Sequence, residues 1–218
     1  IPGSYTLVND INSSGTCIEI QTDNVSIDGQ GHTINYSQSS SGYGVYMVGL
    51  VNITVENARI NLSDPSVSTE NHALRADLIT GLVLRNNTIF TGDNPSGDAV
   101  ASGIMLDDMD DLTVVDNTIT TVDRSSRGLH ILDSYDDNLT IVNNSISTSG
   151  NLGWGIDVTR SANISISGNG IVTSGTVDYW PGTYGLYLHS DVENLTLRNN
   201  DINTSYSPPL FTVDTLNL

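Results

Sequence analysis

A nine-residue phrase recurs along this chain and leaves few folds open to it. Its last copy is Asn194 to Ile202 (NLTLRNNDI), and earlier copies are Asn52 to Ile60 (NITVENARI), Gly81 to Ile89 (GLVLRNNTI), Asp111 to Ile119 (DLTVVDNTI), Asn138 to Ile146 (NLTIVNNSI) and Asn163 to Ile171 (NISISGNGI). A stretched first copy runs from Asn24 to Ile34 (NVSIDGQGHTI), two residues longer. Successive copies begin 25 to 31 residues apart, a period that marks a solenoid built of stacked, similar turns.

Inside each copy apolar residues alternate with Ser, Thr or Val, as in Leu195, Thr196, Leu197. That period of two predicts a half-buried strand and no helix. One or two Asn or Gly residues follow, suited to the left-handed backbone of a tight corner, and then an isoleucine opens another short strand. In register, the second residues make one inward ladder (Val25, Ile53, Leu82, Leu112, Leu139, Ile164, Leu195) and the closing isoleucines another (Ile34, Ile60, Ile89, Ile119, Ile146, Ile171, Ile202). The corner residues Asn87, Asn117, Asn144, Asn169 and Asn200 align as well. Their amides are expected to bond from turn to turn and to satisfy backbone groups that a corner leaves unpaired.

A second phrase, Gly-apolar-any-apolar, precedes the first by seven to ten residues: Gly44 to Met47, Gly103 to Leu106, Gly128 to Ile131, Gly155 to Val158 and Gly185 to Leu188, with Cys17 to Ile20 and Ala73 to Ala76 as variants. Three short strands per turn describe an all-β, single-stranded parallel β-helix, each turn adding about 4.8 Å along the axis. Residues 1–218 then form one domain of seven to eight rungs, with Leu210 to Val213 in the first-strand slot of a partial last rung.

The stretch SGTCIEIQTDNVSIDGQGHTI and the recurring N-[IL]-[ST]-[IL]-x-x-N-x-I resemble the right-handed parallel β-helix repeat family, nearest to its NosD-like ("periplasmic copper-binding") branch and to repeats of archaeal surface proteins. The resemblance spans nearly the whole chain. It implies the right-handed coil, and it leaves function open, because this scaffold carries lyases, hydrolases, epimerases, adhesins and envelope proteins. A copper role does not carry over: His32, His72, His130 and His189 fall at unrelated rung positions, and Met47, Met105 and Met109 make no soft-ligand cluster with them.

Seven basic residues against 25 acidic ones give a formal charge of -18. Such a surface repels nucleic acid and anionic membranes and attracts divalent cations. No stretch is long and apolar enough to span a bilayer. The chain starts at Ile1, as a mature exported form or an excised segment does. Asn-x-Ser/Thr sequons are dense, partly because the repeat itself generates them; Asn35 and Asn61, in outer loops, are the glycosylation candidates of an extracellular, cell-surface protein.

Cys17, the single cysteine, takes the slot where other rungs have Gly. Alternation puts it outside the core, free to bridge to another subunit or to remain an inert thiol. The insertion 37–43 (SQSSSGY) is read as polar and flexible, 61–72 and 91–102 as a stacked side lobe, and 172–184 as an aromatic loop carrying Tyr179, Trp180 and Tyr184. Exposed aromatics there suit a sugar ring, a protein interface or their own loop. The acids Asp107, Asp108, Asp133 and Asp137 at one corner are the candidate metal ligands, for Ca²⁺ if any ion is held, since no cofactor is otherwise indicated.

The outward positions of the Gly-led strands stack as Glu19, Tyr46, Arg75, Met105, His130, Asp157 and Tyr187. This is the best groove in the sequence. Tyr46 and Tyr187, with Tyr179 and Trp180, are carbohydrate-binding candidates, and His130, Asp157 and Arg75 are the catalytic set of an alternative reading as a polysaccharide lyase or glycoside hydrolase. That reading lacks paired Asp residues in adjacent outward slots. The preferred reading is non-catalytic: an envelope subunit (surface layer, sheath or fibre) that self-assembles through open solenoid ends and lateral faces. The uncharged stripe Ser26, Thr54, Val83, Thr113, Thr140, Ser165 and Thr196 would supply one lateral contact. A polysaccharide-binding adhesin module is the other alternative.

Overall fold

A computed structural model describes residues 1–63, 71–92, 102–122, 125–134, 138–151, 153–175, 182–205 and 207–213. Every regular element among them is a β-strand. Pairing is parallel, with each strand beside its counterpart one repeat away, for example Ile89 beside Ile60 and Ile119. The closing strands form an eight-stranded sheet, the third face, from Ile11–Asn12 to Asp201–Thr204.

Three short strands per turn were expected, and the first two faces instead join into one sheet of 13 strands. Leu74–Arg85, Trp154–Ser167 and Leu186–Arg198 run unbroken around the corner between them. The bend is made inside the strand by residues with left-handed backbone: Leu78 (φ 59°), Arg160 (φ 45°), and the pair Ser190 and Asp191 (φ 55° and 63°). The corner between the second and third faces uses Asn and Gly as anticipated, with φ between 51° and 66° at Asn57, Asn86, Asn143, Gly168 and Asn199, and Asp116 (φ 56°) takes the same place in one turn.

The core is as thin as the repeat requires. Ile53, Leu82, Leu112 and Leu139 on one ladder, and Ile34, Ile60, Ile89, Ile119, Ile146 and Ile171 on the other, are all at most 1% exposed. The closing isoleucines explain the glycines opposite them. A Cβ built on Gly128 would lie 2.3 Å from Ile146 Cγ2, and one on Gly155 2.3 Å from Ile171 Cγ2. The glycine slot therefore points inward, and this overturns the outward placement of Cys17. At the corner the strict alternation of a flat strand fails, so Cys17 is half-buried against the core, and burial pushes its thiol pKa up.

The asparagine ladder is continuous. The Nδ2 atoms of Asn87, Asn117, Asn144 and Asn169 donate to the Oδ1 of the next asparagine at 2.9–3.1 Å, ending on Asn200. The same Oδ1 atoms accept the preceding backbone N–H groups at 2.9–3.0 Å. At the far end of the third face the inward slot passes to Thr91, Thr121, Thr148 and Thr173, whose buried hydroxyls have no hydrogen-bond partner among the described residues. The insertion 37–43 is hydrogen-bonded into the fold: Ser37 is fully buried, its Oγ contacting Asn71 Oδ1, which also accepts the Gly42 N–H. Leu210–Val213 takes the first-face slot beside Leu186 to His189. At the other end Gly3–Thr6 pairs with Val25–Asp28, above a cavity of about 460 Å³ lined by Tyr5, Leu7, Ile18 and Ile20.

Candidate functional site

The outward column of the first face is in register as the sequence implied: Glu19 beside Tyr46, then Arg75, Met105, His130, Asp157 and Tyr187. Alternation holds here because the inward neighbours Val45, Met47, Leu74, Ala76, Ile104 and Leu106 are fully buried.

Asp157 is the centre of the best-built part. Its side chain is only 1% exposed, and Oδ2 accepts a hydrogen bond from Arg127 Nε at 2.6 Å. His130 Nε2 lies 3.2 Å from Oδ2, and His189 Nε2 lies 3.2 Å from Oδ1, both at ion-pair distance. Neither is aligned as a hydrogen bond, so Oδ1 has none, and His189 Nε2 is instead 2.7 Å from Thr159 Oγ1. A carboxylate this buried needs a compensating cation, and the Arg127 guanidinium supplies it. Burial, then the charge of Arg127, drives the His130 pKa down to about 4, which keeps the imidazole neutral. Arg127 also lies over the Trp154 ring at 4.6 Å, and Trp154 stacks on Tyr187 at 4.4 Å, with its indole N–H donating to Gly182 O at 2.8 Å. Tyr184 stacks on the far side of the cluster, 5.4 Å from Tyr187.

A second aromatic group stands several rungs away on the same face. Tyr43 stacks on Tyr46 at 5.1 Å and on His72 at 6.1 Å, with the Arg75 guanidinium 5.9 Å from the Tyr43 ring centre. Arg75 Nε pairs with Asp77 at 3.0 Å. Between the two groups Asp77 and Asp107 are register partners in adjacent rungs. This corrects the expectation that no two Asp residues share adjacent outward slots: the pair sits two residues beyond the first column, and alternation repeats there. Burial, then repulsion from Asp133 and Asp77, raises the Asp107 pKa.

The catalytic set of the alternative reading is thus only partly assembled. His130 and Asp157 meet, whereas Arg75 stands two rungs from His130 with Met105 between, and Arg127 occupies the place beside the carboxylate. Arg127, Trp154, Thr159 and His189 escaped sequence reasoning. Continuing the outward count to the residue before each Gly and two beyond each outward residue would have found them. Tyr46 and Tyr187 lie in the column as expected; Tyr179 and Trp180 fall outside the described residues. Of the metal candidates, Asp137 also falls outside them. Asp133 is held by Arg160, which lowers its pKa, and Asp108 has a left-handed backbone at the corner (φ 56°). Among the described residues no three His, Cys, Asp or Glu side chains converge as a metal site would require. Asn35 and Asn61 lie on the third face in a ladder of their own, Asn61 Nδ2 donating to Asn35 Oδ1 at 3.1 Å and Asn35 Nδ2 to Asn12 Oδ1 at 2.8 Å.

Residues 6–202 match the family model described as right handed beta helix region. No curated protein matches the chain. Among solved structures, a surface adhesin of Streptococcus pneumoniae, PfbA, aligns with a TM-score of 0.51 at 12% identity, over 92% of this chain and 59% of the adhesin chain. The periplasmic alginate epimerase AlgG, as a T265N T268M double mutant, aligns with a TM-score of 0.32 at 15% identity, over 89% of this chain and 58% of that one. The chain therefore spans less than two thirds of the structures it matches, and at these identities the likeness is one of fold.

Proposed function

Because the chain belongs to the right-handed β-helix family, whose scaffold serves many activities, we propose a function from its first face: a rigid extracellular or envelope rod that holds polysaccharide non-catalytically. The observation that carries this is the outward column itself. Two aromatic groups, around Tyr46 and around Tyr187, flank the acids Asp77 and Asp107, all on strands that repeat about every 4.8 Å. A ladder of equal steps suits a polymer of equal residues. Tyr46 is the stacking platform, since Tyr43 covers one face of its ring. At the other end Trp154 and Tyr187 contribute edges and hydroxyls, because each ring is already stacked. Asp157 is a positioning residue: at 1% exposure its carboxylate does not reach a ligand, and it fixes Arg127 beside the two imidazoles. This burial favours binding over glycoside or uronate chemistry. The acids in the groove and the charge of -18 favour neutral or amino-substituted polymers over polyuronates. The likeness to a surface adhesin agrees with such a role.

Affinity electrophoresis through gels containing neutral, amino-substituted and uronate polysaccharides tests the reading. Retardation by one of the first two, lost at least tenfold in Tyr46→Ala and Tyr187→Ala and kept in the third-face variant Thr120→Ala, is expected. Equal mobility in every gel, or loss only with third-face changes, would remove the proposal.

A further inference from the structure

The second face presents two outward columns. One is the uncharged stripe Ser26, Thr54, Val83, Thr113, Thr140, Ser165 and Thr196, in unbroken register. The other, two residues on, is Asp28, Glu56, Arg85, Val115, Val142, Ser167 and Arg198. In a chain of charge -18 with only seven basic residues, this face carries two acids and two bases, and their order is not random. The acids Asp28 and Glu56 stand at the N-terminal end of the column with Arg85 beside them, and Arg198 stands at its far end. Glu56 and Arg85 pair with each other. Hydrogen bonds from Asn57 and Gln30 hold the Asp28 pKa down, so it is charged, and Arg198 is exposed with no acidic partner among the described residues.

We propose that a second copy of this chain docks on the second face, antiparallel, about a two-fold axis through Val115. Such an axis, lying in the interface along the strand direction, sets each column against itself in reverse order. Val115 then meets the partner copy's Val115, Thr113 its Thr113, Glu56 its Ser167, and Asp28 its Arg198, twice by symmetry. The charges of Asp28 and Arg198 then neutralise each other, so the two columns meet with no net charge between two strongly acidic rods. Asp111 and Asp116, exposed at the two rims of the middle rung, are the acids that the axis sets against their own copies.

Area sets the strength. Seven stacked strands about 4.8 Å apart and four residues wide at about 3.3 Å each make a patch of roughly 450 Å² per copy. About 900 Å² in total is the size of weak, reversible contacts. The dimer is therefore concentration-dependent, and it stands independently of the polysaccharide reading.

Sedimentation velocity over a concentration series up to millimolar, at physiological salt where the Debye length is about 8 Å, with small-angle scattering of the same samples, tests it. A reversible dimer of unchanged length and doubled cross-section is expected. Val115→Asp, a change at a half-buried outward position that sets two carboxylates together at the axis, weakens it more than tenfold. Arg198→Asp weakens it through Asp28, Asp111→Asn strengthens it, and Thr120→Asp on the third face leaves it alone. A monomer at every concentration, a dimer of doubled length, or a dimer indifferent to Val115→Asp would each overturn the proposal.

Discussion

Asn144→Ala removes the middle of the asparagine ladder, and its cost can be worked from the bonds it breaks. The side chain is 1% exposed. Its Oδ1 accepts the Asn117 backbone N–H and the Asn117 Nδ2, both at 3.0 Å, while its Nδ2 donates to Val114 O at 2.9 Å, Val142 O at 3.1 Å and Asn169 Oδ1 at 3.0 Å. Asn117 Nδ2 keeps Leu84 O and Val115 O, and Val142 O keeps the Asp116 N–H. The Asn117 backbone N–H keeps nothing in a site closed to water, at a cost of about 1–3 kcal/mol, and the other lost bonds add roughly 1 kcal/mol each where no partner remains. The expected loss is about 4 kcal/mol, a large fraction of the stability of a single domain. Asn200→Ala, at the half-buried end of the ladder, should cost about half as much, because water can replace what is lost. Urea unfolding followed by far-UV circular dichroism reads both, with the half-buried, outward-facing Thr140→Ala as control. A loss below about 1 kcal/mol for Asn144→Ala would mean that the ladder decorates the corner without holding it.

Gly128→Ala should cost about 2–3 kcal/mol, because its Cβ would sit 2.3 Å from Ile146 Cγ2 and 2.7 Å from Gly155 O; Ile146→Ala in the same chain should relieve part of it, and additive losses in thermal melts would contradict the packing. Thr121→Val should be neutral or stabilising by about 1 kcal/mol, since it replaces a buried hydroxyl without a partner among the described residues, and a clear drop in the melting temperature would reveal a partner. Acid should weaken the fold through two histidines. Burial is the main cause that lowers the His72 pKa to about 3 and the His130 pKa to about 4, from 6.5. Both are neutral when folded, so the unfolded chain binds more protons below pH 6.5, and stability falls by several kcal/mol as pH drops from about 6.5 toward 4. His130→Gln should flatten that slope in pH-dependent urea titrations, and an unchanged slope would place the titrating groups elsewhere.

The solenoid was legible because its constraints are local and repeated. A closing isoleucine recurs at one spacing, and a glycine recurs where that isoleucine leaves no room for a Cβ. The site was legible only as far as strict alternation goes: the column from Tyr46 to Tyr187 followed from counting by two. The corners broke the count. Cys17 turned inward because a residue just past a bend faces the axis, and the unbroken strands through Leu78, Arg160 and Ser190 depend on left-handed backbone at non-glycine residues, which composition does not signal. The Arg127–Asp157–His189 cluster joins three rungs and three columns, so its members lie 30 or more residues apart with no shared phrase to mark them.

Hydroxyl-radical footprinting with and without the retarding polysaccharide tests most directly whether the first face is the binding surface. Protection of Tyr46, Met105, Trp154 and Tyr187, with Phe90 and Val172 on the third face and Val115 on the second still oxidised, is the predicted result. Protection confined to the second or third face, with the Tyr46 and Tyr187 rates unchanged by saturating ligand, would contradict it.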